Sequence, residues 1–150
     1  MEPLIIYTDG GCHGNPGPGG WGAVIIDGDT VRKLSGGEAH TTNNRMELMA
    51  AIQALAAVSA DESLRQRDIQ MFSDSQYVKN GITSWIQNWK RNGWRTATKK
   101  PVLNRELWEQ LDALYGSLSV SWQWVKGHAG VTYNEVCDKL CQMEIAKFEA

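Results

Sequence analysis

The sequence predicts a single α/β domain: three strands in an antiparallel meander, then helices alternating with two further strands. Three observations carry this prediction. Runs of β-formers near the N-terminus are separated by Gly- and Asp-rich turn signals, the apolar period switches from strand-like to helical at Asn43, and a short strand re-enters after a helix. At 150 residues and 42% apolar content the chain can bury one sizeable core, so the domain is expected to span residues 1–150.

Leu4 to Thr8 is the first strand, ending in Asp9. Gly14-Asn15-Pro16-Gly17-Pro18-Gly19-Gly20 reads as turn or loop throughout. It is not a phosphate loop, because such a loop runs directly into a helix and here a strand, Trp21 to Ile26, follows. Asp27-Gly28-Asp29 turns the chain into a third strand, Thr30 to Ser35. From Asn43 to Val58, Leu48, Ile52 and Leu55 recur at helical spacing among alanines. A polar segment, Ser59 to Arg67, precedes a fourth strand at Ile69 to Phe72; entering after a helix, it is predicted parallel to the first. Gln76 to Trp89 is helical with an interruption near Gly81, and Asn92-Gly93 ends it. Trp94 to Lys100 is an exposed basic loop closed by Pro101. Asn104 to Tyr115 is a helix with Leu107, Leu111 and Leu114 on one face, Val120 to Val125 a fifth strand, Lys126 to Gly130 a loop, and Thr132 to Phe148 the last helix.

Composition excludes several classes. No apolar run approaches the roughly 18 residues of a membrane helix, and Met-Glu-Pro-Leu opens no secretory signal. Three cysteines, an odd number without zinc spacing, fit reduced thiols in a cytoplasm. The net charge of −2 argues against a wholly basic nucleic-acid binder. It hides a segregation, however. Ser75 to Arg105 holds no acid but carries Lys79, Lys90, Arg91, Arg95, Lys99, Lys100 and Arg105. A basic lobe on an acidic body suits a polyanion that also meets a cation-binding acidic site; a solvated helical face is the plainer alternative.

Four acids are candidates for that site, and each has an ordinary explanation. Asp9-Gly10 is a hairpin-turn signal. Asn44-Arg45-Met46-Glu47 resembles a capping box. Asp74 lies in an N-cap cluster, Ser73-Asp74-Ser75. Asp138 sits on a helix whose Glu135 and Lys139 already form an i,i+4 pair. Taken together, parallel first and fourth strands bring Asp9 and Asp74 to one sheet edge, with the helix from Asn43 able to lay Glu47 across it. Converging carboxylates repel and raise one another's pKa unless divalent cations intervene. Oxygen-only ligands suit Mg²⁺, with Mn²⁺ an alternative, and two such ions about 4 Å apart serve phosphodiester displacement.

His128 stands between glycines, either incidental or a proton carrier beside a metal–carboxylate site. Trp85 and Trp89 share a helical face, and Trp89 and Trp94 are interleaved with Lys90, Arg91 and Arg95. Core packing is one reading of Trp85; aromatics among cations otherwise fit a nucleic-acid surface. Cys12, Cys137 and Cys141 read as small core residues.

Tyr7-Thr8-Asp9-Gly10-Gly11-Cys12, Gly14 to Gly20, Thr41-Thr42-Asn43-Asn44-Arg45-Met46-Glu47-Leu48, Ser73-Asp74-Ser75-Gln76-Tyr77-Val78, Trp85-Ile86-Gln87-Asn88-Trp89-Lys90, Trp124-Val125-Lys126-Gly127-His128-Ala129-Gly130 and Asn134-Glu135-Val136-Cys137-Asp138 closely resemble bacterial type 1 ribonuclease H. The likeness is collinear over nearly the whole chain. It implies the ribonuclease H-like fold, a five-stranded mixed sheet of three antiparallel and two parallel strands flanked by helices. It implies an endonuclease that hydrolyses the RNA strand of an RNA–DNA hybrid with two Mg²⁺ ions, leaving 5′-phosphate and 3′-hydroxyl ends. Asp9, Glu47, Asp74 and Asp138 would then be the catalytic metal ligands and His128 the assisting histidine.

Asn15, Thr42, Asn43, Asn44 and Gln76 fall on family positions that contact the hybrid. The resemblance further implies that Trp85, Trp89, Lys90, Arg91, Trp94, Arg95, Lys99 and Lys100 belong to the handle that grips the DNA strand. A monomer without a separate hybrid-binding domain is expected. Gly11, the Ser59–Asp68 segment and Val131-Thr132-Tyr133 depart from the usual pattern. The rivals are a DNA nuclease or recombinase of the same fold, and a non-catalytic nucleic-acid-binding module. The second would lack an acid, and all four are present.

Overall fold

The computed structural model describes residues 2–96, 98–124 and 132–149. Five strands, β1 (Leu4–Cys12), β2 (Gly17–Asp27), β3 (Thr30–Thr41), β4 (Asp68–Ser73) and β5 (Ser119–Trp124), form one mixed sheet in the order β3-β2-β1-β4-β5. The meander β1–β2–β3 is antiparallel, and β4 and β5 run parallel to β1, as predicted. The helices are α1 (Asn43–Ser59), α2 (Gln76–Asn80), α3 (Ile86–Arg91), α4 (Arg105–Ser117) and α5 (Thr132–Glu149).

The core lies between the sheet and α1, α3 and α4: Leu4, Ile6, Leu48, Leu55, Ile69, Met71, Ile86, Trp108 and Leu111 are buried in one cluster. The apolar helix period read in the sequence is the face that meets this cluster. On the opposite face of β1 and β2, α5 packs through Cys137, Cys141 and Ile145, all buried.

Gly17 to Gly20, read as loop from the sequence, are in fact the first residues of β2. The reason is steric. A Cβ on Gly20 would lie 2.5 Å from the Cys141 carbonyl oxygen, and one on Gly19 would lie 2.4 Å from Thr41 Cγ2. Glycine here permits a strand to run under a closely packed helix rather than bending the chain. The interruption foreseen near Gly81 is a single π-helical turn, Gly81–Trp85, joining α2 to α3. A Cβ on Gly81 would lie 1.9 Å from the Trp108 ring. The absent side chain therefore gives the indole room against this turn.

Candidate active site

Asp9 and Gly10 both lie inside β1, so the turn reading of that dipeptide is replaced. Tyr7 pairs with Phe72 across the parallel β1–β4 junction. Two residues further along each chain come Asp9 and Asp74, which therefore emerge side by side just past the end of the β1–β4 pairing. Gly10 lets α1 close on this edge: a Cβ there would lie 2.5 Å from the Met46 carbonyl carbon and 2.6 Å from the Glu47 amide nitrogen. With no side chain in the way, the Gly10 amide donates to Glu47 Oε1 and to Asp9 Oδ1 at 3.0 Å.

Neither capping explanation holds. The N-cap of α1 is Thr42, whose hydroxyl accepts from the Arg45 amide at 3.2 Å. That leaves Glu47 free of capping and turned toward β1. The N-cap of α2 is Ser75 rather than Asp74, with Oγ accepting from the Val78 amide at 3.1 Å. Ser75 is buried, and its remaining hydroxyl proton goes to the Glu47 carboxylate. One serine thus ties the start of α2 to an acid on α1. The sequence reading noted Ser75 only as part of a cap cluster. A hydroxyl with one acceptor duty and one spare proton, next to an acid, was the available signal.

Asp9, Glu47 and Asp74 bring one carboxylate oxygen each within 4.8 Å of one another. Asp9 is only 8% exposed. Burial, then the charges of Asp9 and Asp74, push the Glu47 carboxyl well above its ordinary value. Asp138, on α5, is not part of that set of three. It borders the set: burial pushes the Cys141 thiol up to about 12, and the carboxylates of Asp9 and Asp138 both add to the rise. Cys137 is likewise pushed to about 12 by burial and Asp9. Both thiols stay protonated near neutrality and act as the core residues the sequence suggested. His128 lies outside the described residues.

Asn15, Thr42, Asn44, Tyr77, Trp89, Thr96, Val102, Leu103 and Asn104 line a cleft of about 360 Å³. Asn15 Oδ1 accepts from the Asn43 amide at 3.0 Å, holding the β1–β2 connection against the first residue of α1. Asn43 and Gln76 are exposed alongside. Trp85, Trp89 and Trp94 are half-buried, stepping outward with centroids 5.9 Å apart at each step. Trp89 also stands edge-on to Trp108 at 5.5 Å. They are neither core nor free: one face packs inward and the other borders solvent. Lys90, Arg91, Arg95, Lys99 and Lys100 are exposed around them, with Lys90 Nζ 2.7 Å from Asp112 Oδ2.

Tyr77 and Asn104, missed from the sequence, meet at the cleft floor. The Tyr77 oxygen accepts from Asn104 Nδ2 at 3.2 Å and from Trp108 Nε1 at 3.1 Å. Nothing local distinguishes this pair, since 27 residues separate them.

A mixed sheet with clustered acids at the end of adjacent parallel strands, next to a basic aromatic arm, defines a metal-dependent nuclease class. Comparison with known proteins agrees. The RNase H family model matches residues 1–146. The Ribonuclease H of Rhodopseudomonas palustris (strain BisB5) is 60% identical over 147 residues, 98% of this chain and 95% of its own. LC9-RNase H1, a type 1 RNase H with the type 2 active-site motif, superposes with a TM-score of 0.83 at 29% identity, over 98% of this chain and 74% of that one. LC11-RNase H1, solved in complex with an RNA/DNA hybrid, gives 0.74 at 27% identity, over 98% and 99%. The chain belongs to the ribonuclease H family.

Proposed function

We propose that this ribonuclease H hydrolyses the RNA strand of RNA–DNA hybrids as a monomer of one catalytic domain in the cytoplasm, with Asp9, Glu47, Asp74 and Asp138 as ligands for two Mg²⁺ ions. The observation that carries the reading is the meeting of three acids from three separate parts of the fold, each with a carboxylate oxygen within 4.8 Å of the others. An all-oxygen donor set in which burial and the charges of Asp9 and Asp74 raise the Glu47 pKa fits a hard divalent cation, because the ion removes the repulsion that the fold otherwise has to bear. When bound, such ions activate water and stabilise the leaving 3′ oxygen.

The chain's own residues do the rest. Gly10 and Ser75 fix the Glu47 carboxylate by donating to it from two sides. Asp9 is paired with Gly22 of β2, and the Gly10 amide donates to its Oδ1 at 3.0 Å, which orients the carboxylate. Asp138, on α5, would be the fourth ligand. His128 is assigned proton transfer on the family resemblance. Asn15, Thr42, Asn43, Asn44 and Gln76 offer hydroxyl and amide groups suited to 2′-hydroxyls and phosphates. The handle residues Trp85, Trp89, Lys90, Arg91, Trp94, Arg95, Lys99 and Lys100 supply stacking surfaces and cations for the DNA strand.

The test is a labelled-strand assay on RNA–DNA hybrid, RNA duplex and DNA duplex, with Mg²⁺ and with chelator. Cleavage confined to the RNA strand of the hybrid, and abolished by chelator, is the expected result. Cutting of the DNA duplex would move the chain to a different nuclease activity.

A further inference from the structure

Leu103 is 81% exposed, the most exposed of the large apolar side chains among the described residues. A single leucine at a surface needs no explanation by itself. This one lines the same cleft as Asn15, Thr42, Asn44, Trp89 and Val102. It is also held in place. On one side the Val102 amide donates to the Trp94 carbonyl at 3.2 Å, and Arg95 bridges to Pro101. On the other, Asn104 adopts a left-handed conformation (φ 61°) to begin α4, with its side chain bonded to Tyr77. An ordered apolar group is thus kept in water next to the groups assigned to the hybrid.

The surroundings say what covers it. Arg95, Lys99 and Lys100 are exposed on the same arm, and Ser75 to Arg105 contains no acid, so the phosphates of a polyanion have cations to meet. What lies between phosphates along a strand is sugar. A deoxyribose offers a C2′ methylene that can pack on a leucine. A ribose offers a 2′-hydroxyl, which the leucine would strip of water without giving it a partner.

We propose that Leu103 is a strand-selecting contact: it packs on a deoxyribose of the hybrid's DNA strand and disfavours ribose at that place. This rests on the hybrid-cleaving reading above. The effect on affinity is that of partly burying one leucine, with no charge involved.

The test compares wild type with Leu103→Ser and Leu103→Met on an RNA strand paired either to all-DNA or to DNA carrying one ribonucleotide at successive positions. Leu103→Ser should keep its Tm and kcat, because the side chain is already in water, and raise KM about fivefold. The increase should be the same at low and high salt, unlike the loss of a phosphate-binding cation. Leu103→Met should restore KM. In wild type one ribonucleotide position should raise KM, and Leu103→Ser should shrink that penalty. An unchanged KM, an increase that vanishes at high salt, or an unaltered ribonucleotide penalty would each overturn the assignment. Failure of wild type to cut the all-DNA hybrid would instead remove the nuclease reading on which it stands.

Discussion

The acid cluster and the basic handle are built in opposite ways. At the cluster, strand register and helix approach place the carboxylates: β1 and β4 bring Asp9 and Asp74 abreast, and the missing Cβ of Gly10 lets Glu47 in. In the handle, placement comes from side chains. Trp85, Trp89 and Trp94 lean on one another and on Trp108, while the cations stand in solvent. The first region crowds like charges at a cost that a bound divalent cation would offset. The second spreads like charges where water screens them. Chemistry needs fixed oxygens within a few ångströms, whereas grip on a backbone needs charge and surface, with tolerance for sliding.

If that contrast is right, the largest effect belongs to Asp9→Asn. Hydrolysis of hybrid should fall on the order of a thousandfold or more, while hybrid binding by gel shift stays within a few-fold. Tm without metal should not drop, since a charge that raises the Glu47 pKa is gone. Cleavage at near wild-type rate would mean the acids are not the reacting centre.

Gly10→Ala comes next and breaks the cluster without touching an acid. The new Cβ, 2.5 Å from the Met46 carbonyl carbon, forces α1 off the strand. About 3 kcal/mol of stability should be lost by chemical denaturation, and activity should fall about a hundredfold from misplacement of Glu47. A comparable stability loss from Gly81→Ala, where the added atom meets Trp108 at 1.9 Å, should leave kcat far less affected, because that glycine supports the handle.

The same contrast explains what could be read from the sequence. The antiparallel meander, the parallel entry of β4 and the helix read over Asn43 to Val58 follow from local pattern. Gly17 to Gly20 was misread because glycines that admit a helix look the same as glycines that turn a chain; the difference is α5, more than 100 residues away in sequence. Capping hid Glu47 and Asp74 for a related reason. Thr42, two residues before Asn44, and Ser75, one residue after Asp74, took the caps instead. Ser75's second role and the Tyr77–Asn104 pair depend on tertiary contacts alone.

A smaller effect tests the electrostatic cost of the cluster directly. Glu47 has its pKa raised in the folded chain above the ordinary 4.5. Between that value and the raised one, the folded state binds more protons than the unfolded state, so stability falls as pH rises through the window. In chelator, Tm should therefore decline from about pH 4.5 upward through that window. Mg²⁺ should reverse the decline, raising Tm at neutral pH and much less at pH 4.5. In Asp9→Asn both slopes should flatten. Equal Mg²⁺ effects at both pH values would show that the ion does not act at these carboxylates.

The handle should give the mildest changes, and they should separate its cations from one another. Lys99 is exposed, with a backbone φ of 65° that carries it outward. Lys90 is already neutralised by Asp112 at 2.7 Å. Lys99→Ala should raise KM about threefold at low salt with kcat unchanged, and should lower the salt slope of hybrid binding by about one. Lys90→Ala should reduce the slope by less, because part of its charge is spent inside the protein, and Asp112→Ala should tighten binding at low salt by freeing it. If Lys90 and Lys99 prove equivalent at every salt concentration, the handle is a diffuse positive field and the Lys90–Asp112 pair has no bearing on substrate. A difference between them shows that, even where charges are spread in water, the fold decides which of them a phosphate can reach.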